Sequence, residues 1–356
     1  MVQPATIRIA PINVRLIYQS LIWFIANRLK RALLSTGAES MGNAMTNSSA
    51  KRRFGWLGRA FFVLGAVAIL VWAWLSGALS PALMMASPAG RGHFVTDSIL
   101  ADLVVDIDGL AVEGLDKNLS GLTYAANTNT LFTVINNPPA VAEVSTDGAL
   151  LRLIPIKGAK DTEGISHLHG NKFLIADERD QSIHLVHIDP HTEVLTLDGP
   201  PALKLDFGNF RNLGFEGASW DSRNNRLYLV QERLPIRLLV VDGLYPEDPD
   251  QERFLSVRSH RLPWLHRLAL LDLSSLIRHE PSGKLLLLSD ASKMLLEYDE
   301  DGQLVNVLRL RAGMHGLQSA IPQAEGVTMD NEGRLFIVSE PNLFYRFAHE
   351  STATEN

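Results

Sequence analysis

The chain contains no cysteine among its 356 residues. This absence excludes disulfide bridges, thiolate metal sites and cysteine nucleophiles, while an oxidising compartment remains compatible with the sequence. The sequence also lacks a Gly-x-Ser-x-Gly elbow, a phosphate-binding Gly-Lys-Ser/Thr loop and a His-Glu-x-x-His helix. The signatures of serine hydrolases, nucleotide hydrolases and zinc proteases are therefore missing.

Charge is absent from residues 60–90, and the stretch from Phe61 to Leu79 is almost wholly apolar. A run of this length predicts a transmembrane helix. The basic residues from Lys51 to Arg59 precede it, and basic flanks stay in the cytoplasm. We therefore expect a single-pass protein of the cytoplasmic (inner) membrane of a bacterium, with its C-terminal part in the periplasm.

A cleaved signal peptide is the alternative, because a basic region, an apolar stretch and the small residues Ser76 to Ala78 also fit that template. The length of the stretch and Trp72 and Trp74 near its end favour an uncleaved anchor. Residues 1–44 are basic and amphipathic, and translation starting at Met41 or Met45 would explain them equally well.

Acidic residues are scarce at the start and abundant afterwards. Residues 1–59 hold nine Lys or Arg and one acid, whereas the remainder carries a net charge of −14. The acidic part is unsuited to nucleic acid and favours cations. The predicted division is a basic cytoplasmic segment 1–59, an anchor 60–80, a linker 81–100, a β domain 101–349 and a tail 350–356.

Five related units follow the predicted anchor. They begin at Ser120, Glu163, Glu216, Ser274 and Glu325, and the starts lie 43, 53, 58 and 51 residues apart. Each unit has a short strand, a polar turn, a strongly apolar strand, a polar cluster and further strand candidates. This period and pattern predict a five-bladed β-propeller, an all-β fold in which each blade has four antiparallel strands.

The fifth unit ends after its third strand, so its blade lacks a fourth. The stretch from Leu103 to Gly109 is an unpaired strand candidate upstream of the first unit. Because closure with strands from both termini removes exposed sheet edges, we expect this stretch to complete the last blade.

Four stretches resemble the SdiA-regulated, or YjiK-like, family of bacterial proteins. They are SGLTYAANTNTLFTVINNPPA, FLIADERD, GFEGASW and QAEGVTMDNEGRLFIVSEPNLFYRF. The resemblance covers roughly Leu103 to Phe347. It implies a membrane-anchored five-bladed propeller, distantly related to NHL-repeat propellers, with a bound calcium ion. It implies no settled activity.

Glutamates recur at the start of the first strands. In a propeller the first strand of each blade lines the channel, so Glu163, Glu216 and Glu325 should converge on the axis. An outer set should surround them, because the start of the first strand lies beside the end of the second. This outer set is Asn136, Glu178, Glu232, Asp290 and Glu340.

Three carboxylates on one axis repel one another unless a cation neutralises them. Calcium suits such an oxygen ring better than magnesium or zinc, and the glycine after each Glu would let backbone carbonyls approach as further ligands. The structural alternative is that these glutamates cap strands or form ion pairs, and for Glu178, Glu232 and Glu340 it is the favoured interpretation. The fourth unit departs from the pattern at Ser274-Ser275.

Two functions remain open. The first is an exported calcium-binding module that binds an unknown ligand or protein on one rim. The second is a calcium-dependent hydrolase, by analogy with lactonase-type propellers, in which an axial calcium polarises a carbonyl or phosphoryl oxygen. The analogy is one of fold, and fold alone does not determine function.

Overall fold

Five antiparallel sheets, the blades, make up the larger part of the structure. The computed structural model describes residues 6–8, 62–74, 76–86, 97–206, 214–231, 236–245, 255–260 and 262–349. The chain divides into two units, one of residues 10–75 and one of residues 1–9 with 76–356. The blades belong to the second unit.

Each blade has an inner, a second, a third and an outer strand. Blade 1 consists of Leu119–Ala125, Thr130–Asn136, Pro139–Val144 and Leu150–Lys157. Blade 2 consists of Thr162–His169, Lys172–Asp177, Ser182–His187 and Leu203–Asp206. Blade 3 consists of Phe215–Asp221, Arg226–Gln231, Arg237–Asp242 and Ser256–His260.

The remaining blades follow the same order. Blade 4 consists of Ser275–His279, Lys284–Ser289, Met294–Tyr298 and Leu304–Arg309. Blade 5 consists of Gln323–Met329, Leu335–Glu340 and Leu343–His349, and its outer strand is Leu103–Ala111. The predicted five-bladed, all-β architecture is thus confirmed.

The outer strand of blade 5 comes from the N-terminal side, as predicted. Leu103–Ala111 pairs antiparallel with Leu343–His349, with Leu103 opposite His349 and Val105 opposite Phe347. The strand reaches two residues beyond the predicted end at Gly109. Strand pairing across the two termini therefore closes the ring.

Two short strands extend blades on their outer edges. Leu195–Thr196 runs parallel to Ile156–Lys157 of blade 1. Thr6–Arg8 runs parallel to Lys204–Asp206 of blade 2. The second pairing involves a segment that the sequence assigns to the cytoplasm, whereas the blades are predicted to lie in the periplasm.

Three helical segments lie within the described residues, and the first of them belongs to the unit of residues 10–75. Residues 62–74 are helical and expose large apolar side chains, for example 79% of Phe62 and 68% of Trp72. No helix within the described ranges has both the length and the apolar content needed to cross a membrane. The anchor over residues 60–80 therefore stays a prediction.

The helix Ser80–Ala86 packs against the helix Trp264–Ala269. Met84 is buried there in an apolar cluster that includes Leu270 and Leu273. The sequence places most of this helix in a linker, because seven residues without charge give no amphipathic pattern. In the structure it covers apolar side chains of blades 3 and 4.

The apolar core is divided into five clusters, and each lies between two adjacent blades. Between blades 1 and 2, for example, the rings of Phe132 and Phe173 are 4.6 Å apart. Between blades 5 and 1, Phe336 and Phe344 join Leu131. Each blade is therefore stabilised mainly by its neighbours, and none buries an apolar face alone.

Neighbouring inner strands approach closely where the repeats carry glycine. A Cβ atom at Gly326 would lie 2.8 Å from the carbonyl carbon of Gly121. One at Gly164 would lie 3.2 Å from the nitrogen of Ala218, and one at Gly217 would lie 3.0 Å from the Cα of Ser275. The glycine of the Glu-Gly pair thus makes room for the next blade.

Hydroxyl side chains of the inner strands form hydrogen bonds to neighbouring blades. In four blades a Ser or Thr lies three residues after the start of the repeat, and its hydroxyl accepts a backbone N–H from the next blade. The four bonds are His167 to Thr123 (3.0 Å), Trp220 to Ser166 (2.8 Å), Arg278 to Ser219 (2.9 Å) and Tyr124 to Thr328 (3.1 Å). Blade 4 has Ile277 at this position, and there Ser274 donates to the carbonyl of Ala324 at 2.7 Å.

We expect Gly326→Ala to lower the free energy of unfolding by about 2 to 3 kcal/mol, because the added methyl group overlaps the backbone of blade 1. Gly199→Ala is the control, since nothing lies within 4 Å of a Cβ there. It should change stability by less than about 1 kcal/mol. Urea denaturation of both variants measures the difference, and equal effects would contradict the role assigned to the glycine.

Candidate metal centre

The three repeat glutamates lie at one end of the channel, here called the Glu end. Glu163, Glu216 and Glu325 fall within the first three residues of their inner strands. The inner strands run parallel to one another around the channel, since Gly121 adjoins Gly164 and the nitrogen of His167 bonds to Thr123. Their starting residues therefore share one rim.

Each of these glutamates is the extra residue of a β-bulge. The pairing register shifts between Thr162 and Gly164, between Phe215 and Gly217 and between Ala324 and Gly326. A bulge turns a side chain away from the regular alternation of the strand. The bulge therefore allows the carboxyl groups to lie at the rim, whichever side of the strand faces the apolar core.

Blade 2 gathers three carboxyl groups. Oxygen atoms of Asp161, Glu163 and Glu178 lie within 4.8 Å of one another. Asp161 precedes the inner strand and Glu178 follows the second strand, and the N–H of Glu178 donates to the carbonyl of Asp161 at 2.8 Å. The start of one strand and the end of its antiparallel neighbour thus bring an inner and an outer acid together.

Burial disfavours the ionised form of Glu163. Only 9% of its surface is exposed, and Asn136 of blade 1 donates its side-chain N–H to Oε1 at 2.9 Å. Desolvation raises the pKa of Glu163 to about 7; the hydrogen bond from Asn136 opposes the shift, and the nearby Asp161 and Glu178 add to it. A cation bound beside this carboxylate would favour its ionised form and thereby oppose the shift that desolvation causes.

The described cation nearest this group is a surface arginine. Arg179 pairs with Asp161 at 2.9 Å, and its side chain is 65% exposed. Exposed ion pairs of this kind contribute little to stability. The ion pair of Arg179 with Asp161 is therefore a minor contribution to the stability of blade 2.

The other predicted ligands have different surroundings. Glu216 is nearly buried and Glu325 is half-buried, and neither belongs to a group of three metal-ligating side chains among the described residues. The axial set therefore stays a prediction. Asp290 of blade 4 accepts a hydrogen bond from the N–H of Ala324 in blade 5 at 2.8 Å and forms an ion pair with Lys293. It therefore joins blades 4 and 5.

Two residues of the predicted outer set remain, Glu340 and Glu232. Burial raises the pKa of Glu340, which ends the second strand of blade 5. Glu232 lies outside the described residues.

The donor set of the blade 2 group fits a hard cation. Asp161, Glu163 and Glu178 offer carboxylate oxygens, and Asn136 offers an amide within contact of Glu163. Calcium takes six to eight oxygen ligands in flexible geometry, whereas zinc prefers nitrogen and sulfur. The residues present therefore suit calcium, with the remaining positions open to water or backbone carbonyls.

Sequence reasoning missed Asp161. The sequence shows an acid two residues before the Glu-Gly pair, but the alternation of a regular strand does not place it beside Glu163, because Asp161 precedes the strand and Glu163 lies in a bulge. The corresponding positions in blades 3 and 5 are Gly214 and Gln323. An acid two residues before the Glu-Gly pair therefore distinguishes blade 2 from the other glutamate-bearing blades.

We expect Glu163 to make metal-free protein less stable as the pH rises. Its pKa is about 7 in the folded protein and 4.5 in the unfolded chain, so the folded state binds the extra proton. The contribution of Glu163 to stability should be largest below about pH 4.5 and fall by roughly 3 kcal/mol up to about pH 7.

Glu163→Gln should abolish that fall, whereas Glu193→Gln, at an exposed position, should preserve it. Urea denaturation in the presence of a chelator between pH 4 and pH 8 measures the contribution. A wild-type profile parallel to that of Glu163→Gln would contradict the raised pKa.

Comparison with known proteins gives a family and several distant structural likenesses. Among solved structures, luciferin-regenerating enzyme is 14% identical, with a TM-score of 0.42 over 69% of this chain and 95% of the other. A nidogen/laminin complex chain is 13% identical, with a TM-score of 0.40 over 63% and 73%. A structural-genomics protein of unknown function from Bacteroides thetaiotaomicron is 13% identical, with a TM-score of 0.38 over 66% and 56%.

These likenesses are too distant to support any argument about function. The family assignment is stronger, because the SdiA-regulated family model matches residues 96–348 and so spans all five blades. The chain belongs to the SdiA-regulated family.

Proposed function

We propose that this protein is an exported, membrane-anchored binding module whose propeller holds a calcium ion at the Glu end of blade 2. The observation that carries the proposal is the group formed by Asp161, Glu163 and Glu178, in which burial raises the pKa of Glu163 to about 7. A calcium ion would neutralise this group. It would also connect blades 1 and 2, because Asn136 already contacts Glu163 across the blade boundary.

A binding role is favoured over hydrolysis. A hydrolytic calcium needs an open coordination position beside a substrate pocket. The five-blade cavity of about 440 Å³ is lined by the opposite ends of the inner strands and does not include the three carboxylates. We assign the proposed ion a structural task, which is to fix the rim on which a ligand or partner protein binds.

Calcium should stabilise the protein through the blade 2 group. A saturating concentration, 100 times the dissociation constant, should add about 2.7 kcal/mol to the free energy of unfolding, and a chelator should reverse the gain. Glu163→Gln and Glu178→Gln should each abolish most of the calcium-dependent rise in melting temperature. Glu340→Gln, in the outer set of blade 5, should retain it.

Glu216→Gln separates the two arrangements of ligands. It should leave the calcium response intact if blade 2 holds the ion, and abolish it if the ion lies on the axis. Thermal unfolding with and without calcium decides between them. If calcium does not change the melting temperature of the wild-type protein, the proposal is overturned altogether.

The proposed topology rests on the apolar sequence around the helix 62–74 and the basic flank at residues 51–59. It conflicts with the pairing of Thr6–Arg8 with Lys204–Asp206, because a single span between them would put these strands on opposite sides of the membrane. Translation starting at Met41 or Met45 would remove the conflict, since residues 6–8 would then not be made.

Alkaline phosphatase fused after Phe347 should be active in the periplasm, whereas the same enzyme fused after Arg59 should be inactive. The fusions should give the same result when translation starts at Met41. Activity from the Arg59 fusion alone would reverse the topology. Inactivity of both would remove the export claim and favour the pairing of residues 6–8 with blade 2.

A further inference from the structure

The cavity of about 440 Å³ lies at the end of the channel opposite the carboxylates. All five blades line it with the C-terminal halves of their inner strands and the turns that follow. Its volume lies in the range of small-molecule sites. Its apolar wall includes Leu168, Trp220, Ile277 and Met329.

The floor of this cavity is rich in unused hydrogen-bond donors. It contains the four inner-strand hydroxyls that join the blades, namely Thr123, Ser166, Ser219 and Thr328. Each is more than nine-tenths buried and accepts one N–H from the next blade. A hydroxyl also has one proton to donate, and none of the four donates it to another described residue.

The acids that line the cavity already have donors. Asp330 accepts two backbone N–H groups and pairs with Arg334 at 2.6 Å. Glu280 accepts the N–H of Ser222 at 2.7 Å. The cavity therefore offers hydroxyl protons to a ligand, whereas each of its two acids already accepts at least one hydrogen bond.

One cation at the rim is available to a ligand. Arg278 is occupied by Asp221 and Glu300, at 3.3 Å and 2.8 Å. Arg223 is exposed and makes no hydrogen bond or ion pair with another described residue. Burial lowers the pKa of His167 and His279, which keeps both imidazoles neutral at pH 7.

We propose that this cavity binds a small organic anion, whose carboxylate accepts hydrogen bonds from the buried hydroxyls and is attracted by Arg223, and whose apolar body lies against Trp220. A carboxylate has two oxygens that accept up to four hydrogen bonds, which matches a floor made of O–H donors. Charge-assisted bonds of this kind are stronger than those to a neutral amide. The inference does not depend on calcium, because the two sites lie at opposite ends of the channel.

Benzoate and benzamide are the probes, because they share shape and apolar surface and differ in charge. Calorimetric titration of the full-length protein in detergent micelles, with a micelle blank, should detect benzoate binding at least tenfold tighter than benzamide binding. The affinity for benzoate should be the same with chelator and with calcium. A calcium requirement would show that the anion binds through the ion, which would overturn the proposal.

Variants locate the site. Arg223→Gln should weaken benzoate binding about threefold to fivefold without affecting the fold, as suits an exposed charge. Arg267→Gln, at an exposed position on the helix Trp264–Ala269, is the matched control and should change nothing. Ser219→Ala should weaken binding about tenfold and also lower stability, because it leaves the N–H of Arg278 without its acceptor.

Equal affinities for benzoate and benzamide would overturn the proposal, as would the absence of benzoate binding at millimolar concentration. Unchanged benzoate affinity in Arg223→Gln and in folded Ser219→Ala would show that benzoate binds elsewhere.

Discussion

The close approach of neighbouring inner strands is the constraint on which the rest of this propeller depends. Each blade buries its apolar faces only against its two neighbours, so the strands nearest the channel must almost touch. Glycine permits that approach at Gly121, Gly164, Gly217 and Gly326, where a methyl group would meet the next strand. The hydroxyl two residues later then satisfies a backbone N–H that the approach removes from water.

The same short stretch of each repeat supplies both ends of the channel. Glu163 begins such a stretch in blade 2 and lies in a bulge at one rim, and Ser166, three residues on, lies at the floor of the cavity at the other. A requirement of packing therefore produces two chemically opposite surfaces, one rich in carboxylate oxygens and the other rich in O–H donors. Because the repeats are related by pseudo-symmetry, each of these features recurs in several blades around the channel.

The architecture could be predicted from the sequence because it depends on features that repeat. The spacing of the five units, the missing fourth strand after His349 and the strand candidate at Leu103 together determine the number of blades and the way the ring closes. The composition of the candidate site could not be predicted in this way, because it depends on where symmetry fails. Asp161 lies outside the repeated pattern, and the bulge that turns Glu163 toward it leaves no distinct signal in the sequence.

The hydroxyl positions were missed for a different reason, since Ser and Thr are common in strands and their role appears only when the next blade is in place. The sequence indicated that glycine permits a close backbone approach, and the atoms nearest Gly326 do belong to the backbone and side chains of blades 1 and 5. The carbonyl ligands stay a prediction.

The failure of symmetry favours a cation site off the axis. An axial ion would take its ligands from several blades, and blades 1 and 4 present Ser120 and Ser274 where the others present glutamate. Both serines already donate to the neighbouring blade, Ser120 to the carbonyl of Glu163 and Ser274 to that of Ala324. Among the glutamate-bearing blades, blade 2 alone has an acid two residues before its Glu-Gly pair. Its Glu163 also accepts a hydrogen bond from the amide of Asn136 in blade 1. Negative charge is therefore concentrated at the boundary of blades 1 and 2, where a bound cation would strengthen one particular blade contact and leave the axis open.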